Sequence, residues 1–147
     1  MCRQHRHLRV VGVDVNPAAL AVAREDVAAA GLDGRIELRQ QSVADIDDLK
    51  AFDLIWLSQS FFTPEVLARA LPALRRAARP HAAILMLTAT TAESGVIGTS
   101  IELGHLVTGG GTMTAADALA LLERSGWVEV NTKAAVGGVL ALARCPG

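Results

Sequence analysis

The stretch that decides the fold is residues 8–31, LRVVGVDVNPAALAVAREDVAAAG, which joins a Val-rich apolar run to an alanine-rich segment through Asn16-Pro17. Leu8 to Asp14 is short and almost continuously apolar, the pattern of a buried parallel strand rather than one with a solvated face. Asn16 is a good N-cap and Pro17 suits the first helical position, so a helix is predicted over 17–30. Gly31 stands where the chain must turn out of it. The unit is strand, tight turn, helix.

Working outward, the cycle repeats. Arg35 to Gln41 reads as a strand and Phe52 to Leu57 (FDLIWL) as a buried one. Thr63-Pro64 then caps a helix reaching about Ala78, and Ala82 to Thr88 (AAILMLT) is a further buried strand. After a glycine-rich stretch, Thr114 caps a helix ended by Gly126. The last two strands, Trp127 to Asn131 and Val139 to Ala143, are joined through Gly137-Gly138. So short a connection requires an antiparallel pair, because a parallel crossover needs a dozen or more residues. The alternation predicts an α/β fold whose sheet is mostly parallel and mixed at one edge.

The 147 residues are 51% hydrophobic and carry a formal net charge of −1, so one domain with a real core is expected and no basic field for nucleic acid or an anionic membrane is present. A small-molecule partner is expected instead. Cys2 and Cys145 lie at opposite ends without CxxC spacing, which suggests neither a disulfide framework nor a metal knuckle. Residues 1–7 (MCRQHRH) read as a flexible basic arm rather than a metal site, and 8–147 as the domain. With no signal-like or membrane-spanning run in the sequence, a cytoplasmic location is expected.

In open α/β sheets ligands bind outside the carboxyl ends of the strands. This selects Asp14, then Ser42 and Asp45, then Ser58 to Phe62, then Thr88 to Thr91. An acid at a strand tip can accept two hydrogen bonds from a ribose diol, and Asp14 has that position. The alternative is that Asp14 closes an Asx-turn or caps the helix that follows.

Taken in order, VVGVDVNPAALAVAR, FDLIWLSQSFF, LRRAARP and SGWVEV resemble segments of class I S-adenosylmethionine-dependent methyltransferases, over nearly everything from Leu8 to Ala143. The resemblance implies a Rossmann-like sheet with helices on both faces and S-adenosylmethionine as cofactor. By it, Asp14 holds the ribose, Val15 packs on the adenine, and Ser42, Val43, Asp45 and Ser58 complete the cofactor side. Ser42 stands where the family commonly has an acid, and His81-Ala82 where it usually has Gly-Gly. Gln59, Phe61 and Phe62 would border a small-molecule methyl acceptor. His105, the only histidine of the segment 93–113 that would flank that acceptor, is the candidate general base. The triplet Gly109-Gly110-Gly111 lacks the leading strand and the following Lys of a phosphate loop.

The beginning departs from the family. Only 13 residues precede Asp14, and Gly12 is their only glycine, so the glycine-rich loop, the first strand and the first helix have no counterpart in this sequence. The expectation is a chain that starts after that motif, with two strand edges left to self-associate. A non-catalytic module of the same fold is the second reading. Half of a nicotinamide-dependent dehydrogenase is a third, disfavoured by the terminal antiparallel pair and by FDLIWLSQSFF. The 147 residues are expected to bind S-adenosylmethionine weakly or not at all, since they encode no amide cradle for the methionine part. Calorimetric titration with the cofactor and its demethylated product checks this; micromolar or tighter binding would mean that another segment supplies the cradle.

Overall fold

The computed structural model describes residues 2–88, 113–135 and 138–147. They fall into two compact units, Met1–Asp45 and Ile46–Gly147. His105 and the glycine triplet lie outside the described residues.

In the first unit, β1 (Val10–Asp14) pairs in parallel with β2 (Ile36–Gln40), Val10 opposite Ile36 and Asp14 opposite Gln40. The connecting helix α1 (Pro17–Ala29) starts as its sequence requires, with the Asn16 side chain accepting from the Ala18 and Ala19 amides. Gly31, at φ +64°, turns the chain out of it. Small side chains let this helix lie close to the strands, and only Leu20 among its residues is fully buried. The middle of β1 is half-buried and Val10 is 36% exposed, less covered than its apolar run suggested. The turns before β1 are held by one cation: Arg35 Nη1 donates to the carbonyls of Cys2, His5 and Arg6 at 2.8, 3.1 and 3.2 Å.

The second unit contains a four-stranded sheet in the order β3-β4-β6-β5, made of β3 (Phe52–Ser58), β4 (Ala78–Thr88), β5 (Val128–Ala135) and β6 (Gly138–Arg144). β3 and β4 are parallel; β6 is antiparallel to both β4 and β5, as the short last connection dictated. Pairing places Ile55, Ile84 and Ala143 in one row and Leu57, Met86 and Ala141 in the next. These six residues are all buried. The other face carries Trp56, Leu85 and Leu142 in one row, and on β3 both Leu54 and Trp56 are exposed. A continuous apolar sequence therefore becomes an alternating strand, because helices cover one side of it.

Those helices are α2 (Pro64–Ala77) and α3 (Ala115–Arg124). α2 buries Leu67, Ala70, Leu71, Ala73, Leu74 and Ala77, an apolar stripe at helical spacing. Its Thr63 cap accepts from the Val66 amide. The Thr63 hydroxyl, helped by the Glu65 backbone amide, also holds the Glu65 carboxyl below the ordinary carboxylate range. That support is present above the ordinary Glu range and is lost as pH falls through the lowered folded value. α3 is capped by Thr114, whose Oγ1 accepts from the Asp117 amide at 3.1 Å. Gly126, at φ +81°, ends this turn, and Trp127 then buries its ring and donates Nε1–H to the Leu71 carbonyl of α2 at 3.3 Å.

β4 begins at Ala78, four residues earlier than the sequence suggested. The reason is an irregularity: the register passes from Phe52 opposite Ala78 to Leu54 opposite Ala83. His81 sits in it at φ +64°, its amide donating to Cys145 O and its carbonyl accepting from Arg144. The His81-Ala82 turn is thus pinned to the end of β6.

Two glycines make opposite demands. A Cβ on Gly138 would meet the Thr88 carbonyl, which is backbone and cannot step aside, whereas a Cβ on Gly34 would meet nothing. Gly138→Ala is expected to lower stability by about 1 to 3 kcal/mol. Gly34→Ala is expected to leave it within about 0.5 kcal/mol. Urea unfolding of the two variants checks the pair.

Candidate functional site

In the first unit, the parallel pairing of β1 and β2 brings both carboxyl ends together, and the Gln41 amide donates to the Asp14 carbonyl at 3.1 Å. Asp14 is exposed there. Its Oδ1 accepts the Asn16 amide at 2.8 Å, so the Asx-turn alternative is realised. Asp14 Oδ2 makes no hydrogen bond among the described residues, which leaves one carboxylate oxygen for a ligand hydroxyl. Val15, next along, is 65% exposed and offers an apolar surface.

After β2 the chain turns through a 3-10 segment, Val43–Asp45, in which the Asp45 amide donates to the Ser42 carbonyl at 3.0 Å. Ser42 Oγ accepts the Ala44 amide at 3.2 Å, and its hydroxyl hydrogen stays available to donate. Val43 is buried, so its side chain supports this turn from below, while Asp45 is exposed at its end. Sequence reasoning passed over Gln41. Its Nε2 is buried with no hydrogen-bond partner among the described residues, a costly state for an amide. The signal was its place directly after β2, in the same strand-end set as Ser42.

In the second unit, Ser58 ends β3 and its Oγ lies 3.0 Å from Ser60 Oγ. A 3-10 turn, Gln59–Phe61, follows at once and separates the fates of three adjacent side chains. Gln59 is fully buried, Phe61 is 60% exposed, and Phe62 is half-buried with its amide donating to Gln59 O. Ser58, Gln59, Phe61 and Phe62 therefore gather at the carboxyl end of β3, as Asp14, Val15, Ser42, Val43 and Asp45 gather at those of β1 and β2. Among the described residues no group of three or more His, Cys, Asp or Glu side chains is placed to hold a metal ion. No helix of the described residues is long and apolar enough to cross a membrane.

The nucleoside part of S-adenosylmethionine fits what the first unit offers: an acceptor oxygen, an exposed apolar side chain and a hydroxyl at adjoining strand ends. No counterpart for its methionine part is found in residues 1–13, which hold one glycine and no glycine-rich turn.

Comparison with known proteins bears on the family and the fold. Residues 1–81, more than half of the chain, match the family model of a methyltransferase domain. No curated protein sequence matches the chain. An O-methyltransferase family protein from Burkholderia thailandensis superposes with a TM-score of 0.82 at 17% identity, over 99% of this chain and 46% of that one. The S-adenosylmethionine-dependent methyltransferase SibL in its apo form gives 0.76 at 22% identity, over 99% and 46%. PigF with SAH gives 0.73 at 19% identity, over 97% and 45%. The chain spans about half the length of these proteins, and at such identities the likeness speaks for the fold. The fold is the Rossmann-like α/β arrangement, with its antiparallel last strands, and the chain belongs to the methyltransferase-domain family.

Proposed function

We propose that this chain carries the nucleoside-holding part of an S-adenosylmethionine-dependent methyltransferase acting on a small molecule, in the cytoplasm. The observation that carries the reading is Asp14: a strand-end carboxylate with one oxygen spent on the local turn and the other open, beside exposed Val15. Asp14 Oδ2 accepts a ribose hydroxyl, Val15 covers one face of the adenine, and Ser42 Oγ accepts from the adenine amino group with its second lone pair. Val43 and Asp45 shape and border that turn, and Ser58 is assigned to the cofactor by resemblance.

When bound, the cofactor supplies an electrophilic methyl group, and the protein's task is to hold an acceptor O, N or C in line with it. For that task Phe61 offers an exposed apolar surface, Phe62 a partly covered one, and buried Gln59 holds the turn on which both sit. His105 is proposed as the base that takes the acceptor proton. The match of residues 1–81 to a methyltransferase domain supports methyl transfer in general.

Two substitutions separate the roles of Asp14. Asp14→Asn keeps an oxygen for the Asn16 amide but removes the charge, so stability is expected to stay within about 0.5 kcal/mol while affinity for the demethylated cofactor falls by about 1.5 to 3 kcal/mol. Asp14→Ala removes the turn acceptor as well and is expected to cost about 1 kcal/mol of stability. NMR titration and urea unfolding read both. Equal nucleoside affinity in wild type and Asp14→Asn would remove Asp14 from the site, and no binding to wild type even at millimolar ligand would favour the non-catalytic module.

A further inference from the structure

The second unit has a pocket of about 470 Å³ among Lys50, Arg75, Arg76, Pro80 and Cys145. It lies at the amino end of the β3–β4 pair, since Lys50 precedes β3 and Ala78 begins β4. Ser58 and Gln59 are at the opposite end of β3. Three of its lining residues are cationic and no Asp or Glu side chain is among them, while Gly147, the last residue, also lines it.

Among the described residues, no side-chain ion pair neutralises these cations. Arg79 is paired, forking onto Asp53 through Nη1 at 2.9 and 2.7 Å, but the pocket's own three are not. The Lys50 ammonium and the Arg75 guanidinium make no hydrogen bond or ion pair among the described residues, and Arg76 reaches only the Pro72 carbonyl, at 3.4 Å. Arg75 Nε is moreover buried without an acceptor. A guanidinium nitrogen removed from water and left unpaired costs free energy, although this one lies toward Gly126, which is not among the residues lining the pocket. Compensation of the negative C-terminal end of α2 accounts for one or two basic residues in its last turn, where Arg75 and Arg76 stand. It does not account for Lys50, which comes from another segment.

Lys50 supplies the independent observation. Its backbone is held at φ +47°, a region that a residue with a side chain rarely adopts, by three contacts. Lys50 N donates to Arg76 O at 3.0 Å, the next amide, Ala51 N, donates to Ala77 O at 2.7 Å, and Lys50 O accepts from Arg79 Nε at 3.2 Å. The strained residue is thereby fastened to the last turn of α2, beside Arg75 and Arg76. Gly126 leaves room for Arg75, since an added Cβ there would come within 3.1 Å of Nε.

We infer that this pocket binds the phosphate group of a small phosphorylated molecule, with Lys50, Arg75 and Arg76 as its ligands. Two guanidinium groups and an ammonium suit a multiply charged oxyanion better than a single carboxylate, because they supply both forked and point-like donors. The volume exceeds what inorganic phosphate needs and falls within the range of small-metabolite sites. The site is independent of Asp14 and of the methyl-transfer reading.

Inorganic pyrophosphate at low ionic strength is the probe, titrated by calorimetry into the whole chain. Saturable one-to-one binding is expected, weakened at least about tenfold in Lys50→Asn and in Arg76→Gln. Asn tolerates the left-handed backbone, so the first variant removes charge without adding strain. Arg75→Lys, which keeps charge but not the fork, is expected to weaken binding less than either and reports on Arg75 without emptying its place. Asp14→Asn is expected to bind as wild type does. Absence of saturable binding to wild type, equal affinity in the Lys50 and Arg76 variants, or a loss in Asp14→Asn would each overturn the assignment.

Discussion

β4 is the constraint on which the second unit depends. It is hydrogen-bonded on both edges, in parallel to β3 and antiparallel to β6, so its backbone groups are satisfied only if two different ladders form together. Its inward residues Ile84 and Met86 are fully buried under the helix layer. A one-residue slip against either neighbour would turn both toward the other face. The pinned His81 bulge at one end and the close approach of Gly138 to Thr88 at the other hold that register.

From this strand the helix layer follows. α2 lays an unbroken apolar stripe onto the sheet, and α3 is joined to it where buried Trp127 donates to Leu71 O, a bond between residues 56 positions apart. The indole both fills volume and satisfies its own donor, which is the condition for burying a Trp without penalty. Gly126 has two functions at that junction: its positive φ ends α3, and its bare Cα admits the Arg75 guanidinium.

The chemistry of the two ends of β3 differs accordingly. At the carboxyl end the chain leaves the sheet through a tight 3-10 turn that exposes Phe61 and buries Gln59, so apolar contact surface and hydroxyl groups gather there. At the amino end a strained lysine is tied to the last turn of α2 and the groups are cationic. Cationic groups and apolar groups thus lie at opposite ends of one short strand.

The sequence by itself determined the elements and their directions. Asn16-Pro17, Thr63-Pro64 and Thr114 start helices because their side chains satisfy amides that a helix start leaves unpaired, and this is local chemistry. The antiparallel last pair followed from loop length alone. The strand-end positions of Asp14, Ser42 and Ser58 followed from strand direction, and so much of the candidate site was legible. What only the tertiary structure decided depends on contacts between distant segments. Trp56 lies in an apolar run like that of Leu57, yet one is exposed and the other buried, because successive side chains of β3 point to opposite faces and, among the described residues of the second unit, one of these is buried. Asp14 spends one oxygen on Asn16 and keeps the other, a division set by turn geometry. Lys50 and Arg75 are 25 residues apart and share a pocket only because α2 brings its last turn back to the amino end of β3, a long-range closure to which local sequence pattern is blind.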